Sequence, residues 1–260
     1  MDPLAVPATY FQTFFLVLMR VAAVVTTMPI LSSRNIPPLA KIGLAGILAF
    51  VLTPTLPADR PSIPSTFLPF LVMVAQELCL GLLFGFAVQI VFSGLQTAGQ
   101  FLGTQMGLTI ANTFDPLSQT QQINYIDQLY TLVAGLVFLT INGHHWTIQA
   151  LQQSFSIVPL GQFALGERVA TDLVALMTEA LVVSVRIGLP IAVTLLLTDV
   201  AFLVLGRSAP QMNIFFVGQP LKIGVGLVAF FLALPAMVAL MTGVFRGLLG
   251  DLIELLRLVG

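Results

Sequence analysis

The chain has 260 residues, of which 57% are hydrophobic and 8% are charged, and its net charge is −1. Its mean hydropathy is +1.01, and a soluble domain carries about 25% charged residues. The composition therefore indicates a polytopic α-helical membrane protein, and it excludes a basic surface for nucleic acid. The single cysteine, Cys79, cannot form an intrachain disulfide. The first ten residues carry no basic side chain, so a cleaved signal peptide is not expected.

The apolar runs predict an all-α membrane protein with about six long, partly broken helices. They cover approximately residues 10–31, 42–56, 67–107, 126–141, 173–205 and 221–245. A proline at position 29 ends or kinks the first helix. The tail from residue 246 onward is a candidate for a separate amphipathic helix.

Charged side chains fall inside these apolar runs, among them Arg20, Glu77, Glu179 and Arg186. A charge in an apolar helix should face protein or water and not lipid. For Arg20, an ion pair or a carbonyl contact is favoured over a role in transport. Glu77 is either an ion-pair partner, with Arg20 as a candidate, or a proton carrier.

Glycines recur every four residues near the end of the third run, at Gly99, Gly103 and Gly107. On a helix they form a bare stripe on which another backbone can pack closely. Gln96 and Gln100 belong to a polar face beside this stripe. We therefore expect this side of the helix to contact another subunit.

The stretch that follows is too polar for lipid, with apolar side chains scattered among Gly, Gln, Thr and Asn. Its apolar members are Met106, Ile110 and Phe114, and Asp115-Pro116 follows them. Such a loop is tolerated at membrane depth only where protein buries it or where it lines an aqueous cavity. A plain aqueous loop between two spans is the alternative, and the residues leave both open.

Loop charge predicts the orientation. Arg34 and Lys41 follow the first run, and Arg207 and Lys222 follow the fifth. The positive-inside rule places both loops in the cytoplasm and the N-terminus outside. The central loop then falls on the cytoplasmic side although it is acidic, which a plain cytoplasmic loop does not explain.

Enzyme motifs are absent from the sequence, which has no nucleotide-binding glycine loop, no His-Glu-x-x-His and no nucleophile elbow. The adjacent His144 and His145 are a weak metal signal without a third ligand. No catalytic residue, metal or cofactor is predicted. A small-molecule or ion transporter is the competing class, and a membrane-embedded enzyme has no catalytic constellation behind it.

Two ordered motifs in the later half carry a resemblance to a known family. They are G-R-x-x-P-Q-x-N-x-F from Gly206 to Phe215 and G-x-P-x-K-I from Gly218 to Ile223. Together they resemble the signature loop of the FliR/SctT family of type III export-gate subunits, and its flagellar branch most closely. Further matches occur in order: Arg20, Pro29, Phe114-Asp115-Pro116, Gly143-His144 and Pro159-Leu160-Gly161.

The resemblance implies a structural and gating subunit, not an enzyme, in the inner membrane of the flagellar basal body. It implies FliP and FliQ homologues, FlhB and FlhA as partners, and unfolded exported proteins as the substrate. Residues 1–172 would be FliP-like, and residues 173–260 would form a FliQ-like hairpin and tail. The implied pore plug comprises Met106, Ile110, Phe114, Asp115 and Pro116. The implied cytoplasmic loop, which FlhB would meet, comprises Arg207, Pro210, Gln211, Asn213, Phe215 and Lys222.

Overall fold

The computed structural model describes residues 5–33, 36–56, 64, 66–108, 125–163, 166–208, 211 and 214–259. Within these residues the regular structure is α-helical, apart from one 3-10 turn at Thr53–Thr55. The helices are α1 (Ala5–Thr27), α2 (Pro38–Leu52), α3 (Phe67–Gln105), α4 (Tyr125–Thr140), α5 (Gly143–Ile157), α6 (Glu167–Ser208) and α7 (Ile214–Val259). Five of them are long and apolar enough to cross a membrane, or up to six spans if α4 and α5 form one broken span. The predicted fold class is thereby confirmed.

Local chemistry accounts for several helix ends. α1 stops two residues before Pro29, and α2 begins with Pro38, whose missing N–H is not needed in a first turn. α4 and α5 are separated at Asn142, which has a φ of 61°. Asn is one of the few residues other than Gly that adopts this left-handed conformation readily.

Three helices are much longer than a bilayer requires. α3 has 39 residues, α6 has 42 and α7 has 46, so at 1.5 Å per residue they extend roughly 58, 63 and 69 Å. A hydrocarbon core is about 30 Å thick. Each of these helices must therefore tilt steeply or continue outside the lipid.

The last two helices differ from the sequence-based expectation. α6 begins about six residues earlier than predicted, and α7 includes both the second half of the predicted basic loop and the tail. Pro190 lies inside α6, and Pro220 and Pro235 lie inside α7. Proline is tolerated in apolar helices, where neighbouring groups satisfy the freed carbonyls, so these prolines did not mark helix ends.

The chain divides into two compact units. Unit 1 comprises Met1–Val91, Asn142–Leu176 and Arg246–Gly260, and unit 2 comprises Phe92–Ile141 and Met177–Phe245. α3, α6 and α7 each contribute to both units. This division does not coincide with a boundary near residue 172, and the FliP-like and FliQ-like parts stay a prediction.

Unit 1 contains α1, α2, α5 and the first half of α3. α1 packs against α2. Leu16, Val17 and Val21 of α1 are fully buried, as is Ala49 of α2. The face of α1 that carries Arg20 is therefore part of the buried core of unit 1.

Unit 2 has an aromatic core formed by α3, α4 and α7. Phe92 lies 5.5 Å from Phe138 and 5.1 Å from Phe245 between ring centroids, and the last two rings are 5.3 Å apart. Tyr130 packs 5.4 Å from Phe230, and its hydroxyl donates to the sulfur of Met237 at 3.7 Å. Rings in tilted and edge-to-face contact at these distances add to the stability gained from burial alone.

Candidate functional site

A fully buried ion pair lies in unit 1. The Nε of Arg20 donates to Oε2 of Glu77 at 2.5 Å, and neither side chain is exposed. Nη1 of Arg20 donates to Oγ of Ser154, and Nη2 donates to the carbonyl of Val158, both at 3.1 Å. The guanidinium also lies 4.2 Å from the ring centre of Phe155. The structure thus shows both contacts that the sequence suggested for Arg20, an ion pair and a carbonyl.

These contacts leave no nitrogen of the guanidinium without an acceptor. A buried charge that loses its partner costs several kcal/mol, so such a pair persists only where further hydrogen bonds complete it. The aromatic face of Phe155 adds a cation–π attraction. This centre, which we call the Arg20 node, joins α1, α3, α5 and the turn after α5.

The turn after α5 is held by the same carboxylate. Glu77 accepts a hydrogen bond through Oε1 from the backbone N–H of Gly161 at 2.9 Å. Gly161 has a φ of +72°, and a Cβ at this position would collide with Met73. Glycine is therefore favoured at this position by its conformation, and it leaves room for the side chain of Met73. The sequence matched Pro159-Leu160-Gly161 to the family, but it did not reveal that this turn contacts Glu77.

A glycine seam lies next to the Arg20 node. A Cβ at Gly81 would lie 2.5 Å from the carbonyl oxygen of Arg20 and 2.7 Å from Cβ of Ala23. A Cβ at Gly85 would collide with Thr27. Gly81 and Gly85 are one turn apart on α3, so the small-xxx-small spacing lets α1 approach the backbone of α3 closely.

The predicted stripe at the end of α3 packs within the chain. A Cβ at Gly99 would lie 2.9 Å from Cα of Asp127 and 3.0 Å from Cβ of Tyr130, both in α4. Gly107 is not helical, with a φ of +76°, and a Cβ there would collide with Gln219 of α7. The expectation that these two glycines contact another subunit is therefore wrong, because elements of their own chain occupy the space.

The rest of that predicted surface is only partly accessible. Gly103 is buried, Gln96 is partly buried and Gln100 is exposed. The side chain of Gln100 hydrogen-bonds to Asp127 of α4, and its role in subunit packing stays a prediction.

Met106 does not project away from the chain as the plug prediction required. It is 1% exposed. A Cβ at Gly226 of α7 would lie 2.6 Å from its Cε and 3.2 Å from a methyl group of Leu195 in α6. Met106 is therefore a buried anchor, and the prediction is corrected for this residue. The other predicted plug residues lie outside the described residues: Ile110, Phe114, Asp115 and Pro116.

The predicted basic loop is shorter than the motif that identified it. α6 continues through Arg207, which is exposed, and α7 begins at Ile214, so Phe215 is helical. Gln211 is exposed, whereas Pro210 and Asn213 lie outside the described residues.

Lys222 is helical as well, and it pairs with Asp199 of α6 at 2.8 Å. Sequence reasoning missed this partner. Asp199 and Lys222 lie at similar distances from the turn, and that symmetry would have identified a cross-hairpin pair.

Glu179 and Arg186 are both exposed on α6. Neither forms a hydrogen bond or an ion pair within the part of the chain that the structure describes. An exposed charge on an apolar helix requires water or another protein beside it. The part of α6 between Glu179 and Arg186 therefore needs water or protein beside it.

Large apolar side chains cover the outer surfaces of several helices. On α2 and the start of α3 they include Leu39, Ile42, Ile47, Phe50, Phe67 and Leu68. On α6 and α7 they include Leu189, Leu196, Leu203, Phe216, Phe231 and Leu232. Exposed apolar surface of this extent is covered by lipid or by other protein subunits.

The described residues contain no group of three or more His, Cys, Asp and Glu side chains placed to hold a metal ion. His144 and His145 contact each other, with ring centroids 4.6 Å apart. Two adjacent rings alone do not make a metal centre.

Comparison with known proteins agrees with the resemblance. Residues 11–248 match the family described as Bacterial export proteins, family 1. The chain is 33% identical over 258 residues to flagellar biosynthetic protein FliR of Escherichia coli K12, covering 96% of each chain. It is 29% identical to FliR of Bacillus subtilis strain 168, again over 96% of each, and 30% identical to FliR of Caulobacter vibrioides over 93% of this chain. Since these matches cover nearly the whole length, the chain belongs to family 1 of the bacterial export proteins, as its motifs indicated.

Proposed function

We propose that this chain is a structural and gating subunit of the flagellar type III protein export apparatus. In this role it joins FliP and FliQ homologues in the inner membrane, and unfolded flagellar proteins cross through the assembly. The observation that carries the proposal is the nearly full-length similarity to FliR proteins of three bacteria.

The surface of the chain supports a role as one subunit of a larger assembly. α3, α6 and α7 are each about twice as long as a hydrocarbon core is thick. α6 also exposes Glu179 and Arg186 between apolar side chains. Sister subunits would satisfy both the apolar and the charged parts of this surface, whereas lipid would satisfy only the first.

We assign closure of the resting channel to the segment that follows α3, with Ile110 and Phe114 as its apolar contacts. Met106 instead holds the end of α3 in place, since it is buried against Gly226. An apolar constriction blocks ions without fixed charges. It also opens at modest cost, because each buried apolar side chain contributes only about 1.5–3 kcal/mol.

We assign the contact with FlhB to the basic turn, defined as residues 207–213 with Lys222 beside it, on the cytoplasmic side. Arg207 and Gln211 are exposed there. FlhA is the further expected partner at this entrance. We further propose that residues 1–172 are FliP-like and that residues 173–260 form a FliQ-like hairpin and tail.

Secretion by living cells tests the function. A flagellated strain that lacks its own FliR would receive this chain together with its cognate FliP and FliQ homologues. We expect export of hook and filament proteins into the medium to be restored. Normal assembly of all three proteins without any export would contradict the gating role.

A small-molecule transporter would behave differently. It would be stable when expressed alone and would bind a solute, whereas an export subunit should require its partners for accumulation. Expression with and without the FliP and FliQ homologues therefore separates the two classes.

A further inference from the structure

The carboxyl end of α3 is seated on the hairpin that α6 and α7 form in unit 2. Met106 packs on Gly226 of α7 and near Leu195 of α6, and Gly107 packs on the side chain of Gln219. We call these two contacts the seats of α3. In each seat the glycine leaves room for the facing side chain, Met106 against Gly226 and Gln219 against Gly107. The end of α3 is thus fitted to the hairpin at two successive positions.

The backbone at this end is fixed by a C-terminal cap. The N–H of Leu108 donates to the carbonyl of Gly103 at 3.1 Å, and the N–H of Gly107 donates to that of Thr104 at 3.0 Å. This pair of bonds, with glycine in the left-handed conformation, is a Schellman motif. A shift of the hairpin would therefore disturb defined hydrogen bonds at the end of α3.

The two hairpin helices are joined beside these seats by one ion pair. Asp199 lies one turn from Leu195 on α6, and Lys222 lies one turn from Gln219 on α7, with 2.8 Å between the charged groups. Their side chains are 40% and 12% exposed. Asp199 and Lys222 line a groove of about 630 Å³ together with Arg207 and Gln219.

We propose that the Asp199–Lys222 pair is a positioning device that couples Arg207, in the same groove, to the carboxyl end of α3. The pair favours the register of α6 and α7 that forms both seats, so a change in that register loosens the cap at Met106 to Leu108. A protein that binds Arg207 and competes for Lys222 acts on the end of α3 by this route. The proposal rests on the proposed function only for the identity of that protein as a component of the export apparatus.

The pair is suited to switching because it is weak. A partly exposed ion pair is screened by water and by salt and contributes little to stability. Its loss should accelerate local opening of the α3 cap by about two- to fivefold without unfolding the unit.

Hydrogen exchange at the amides of Met106, Gly107 and Leu108 measures this opening in the full chain purified with its partner subunits. We expect Asp199→Lys and Lys222→Asp each to speed exchange of a peptide covering residues 101–108 by about two- to fivefold. The double charge reversal should restore the wild-type rate. Lys222→Gln gives the same test if a reversal does not assemble.

The matched control is Lys41→Gln, which removes a lysine that donates to the carbonyl of Ser32 in unit 1. It should leave exchange at residues 101–108 unchanged. Unchanged exchange in the Lys222 variants, or a double reversal as fast as either single change, would overturn the coupling. Since the measurement does not depend on export, a coupled chain that fails to restore secretion would contradict the proposed function alone.

Discussion

At the scale of single residues, the Arg20 node shows how an apolar chain keeps a charge inside. Arg20 and Glu77 are both fully buried, and Ser154, Val158 and Gly161 complete their hydrogen bonds. The sequence offered Glu77 as a candidate partner for Arg20, because both charges lie in apolar runs, but it left a proton-carrier role for Glu77 open. It did not indicate Ser154 or Val158, since a serine hydroxyl and a backbone carbonyl occur in every helix and turn.

Replacing one charge of the Arg20–Glu77 pair should destabilise the chain more than replacing both charges together. Arg20→Met and Glu77→Met each leave a buried charge without its partner, and each should lower the free energy of unfolding by about 3–5 kcal/mol. The double replacement should cost less than the sum of the two. The measurement is the thermal midpoint of the detergent-solubilised chain, co-expressed with its FliP and FliQ homologues.

Arg257→Met is the control for that experiment, because Arg257 is exposed near the end of α7 and forms no ion pair within the described residues. Its effect should be within about 0.5 kcal/mol. If the stability losses of the two single variants add up in the double variant, the two charges act separately, and their ion pair does not explain the destabilisation.

At the scale of helices, small residues decide which elements approach closely. The sequence located the glycines of α3, but a bare stripe does not specify its partner. Gly99 therefore packs on α4 of its own chain although a second subunit was expected. Helix lengths were underestimated for a related reason: Pro220 and the polar motif around it read as a loop, yet packing of the hairpin keeps this region helical.

The glycine seam between α1 and α3 should not tolerate a larger side chain. Gly81→Leu places a side chain against the carbonyl of Arg20, where only backbone could move, so the chain should fail to accumulate. Gly46→Leu on α2 is the matched control, because nothing lies within 4 Å of a Cβ there. Immunoblots of membrane fractions give the comparison, and equal amounts of the two variants would refute the seam.

The segment after α3 should close the channel without holding the assembly together. Deleting residues 110–114 removes both proposed apolar contacts, so the assembled complex should leak ions while its yield stays normal. Ion conductance or dye entry in cells that make the complex measures this. A deletion complex as tight as the wild type would show that the segment is only a connector.

At the scale of the whole molecule, orientation follows from the basic turn. A cysteine at Ser208, which is exposed at the end of α6, should react with an impermeant maleimide only after cells are permeabilised. The native Cys79 is exposed and would first be replaced by serine. Labelling of intact cells at position 208 would reverse the assigned orientation.

Length, composition and motif order were sufficient to predict the class, the approximate number of spans and the family. They could not predict the division into two units, because that depends on which halves of α3, α6 and α7 pack together. Hydropathy also reports only that a helix avoids water, and it does not distinguish a lipid neighbour from a protein one.

The most direct test of the central claim is purification of the tagged chain after co-expression with its FliP and FliQ homologues, followed by imaging of the particles. If the chain is an export-gate subunit, both homologues should co-purify in constant ratio. The exposed apolar surfaces of α6 and α7 should then be covered by protein. Recovery of a stable, monodisperse chain free of both homologues, while those two assemble normally without it, would contradict the account.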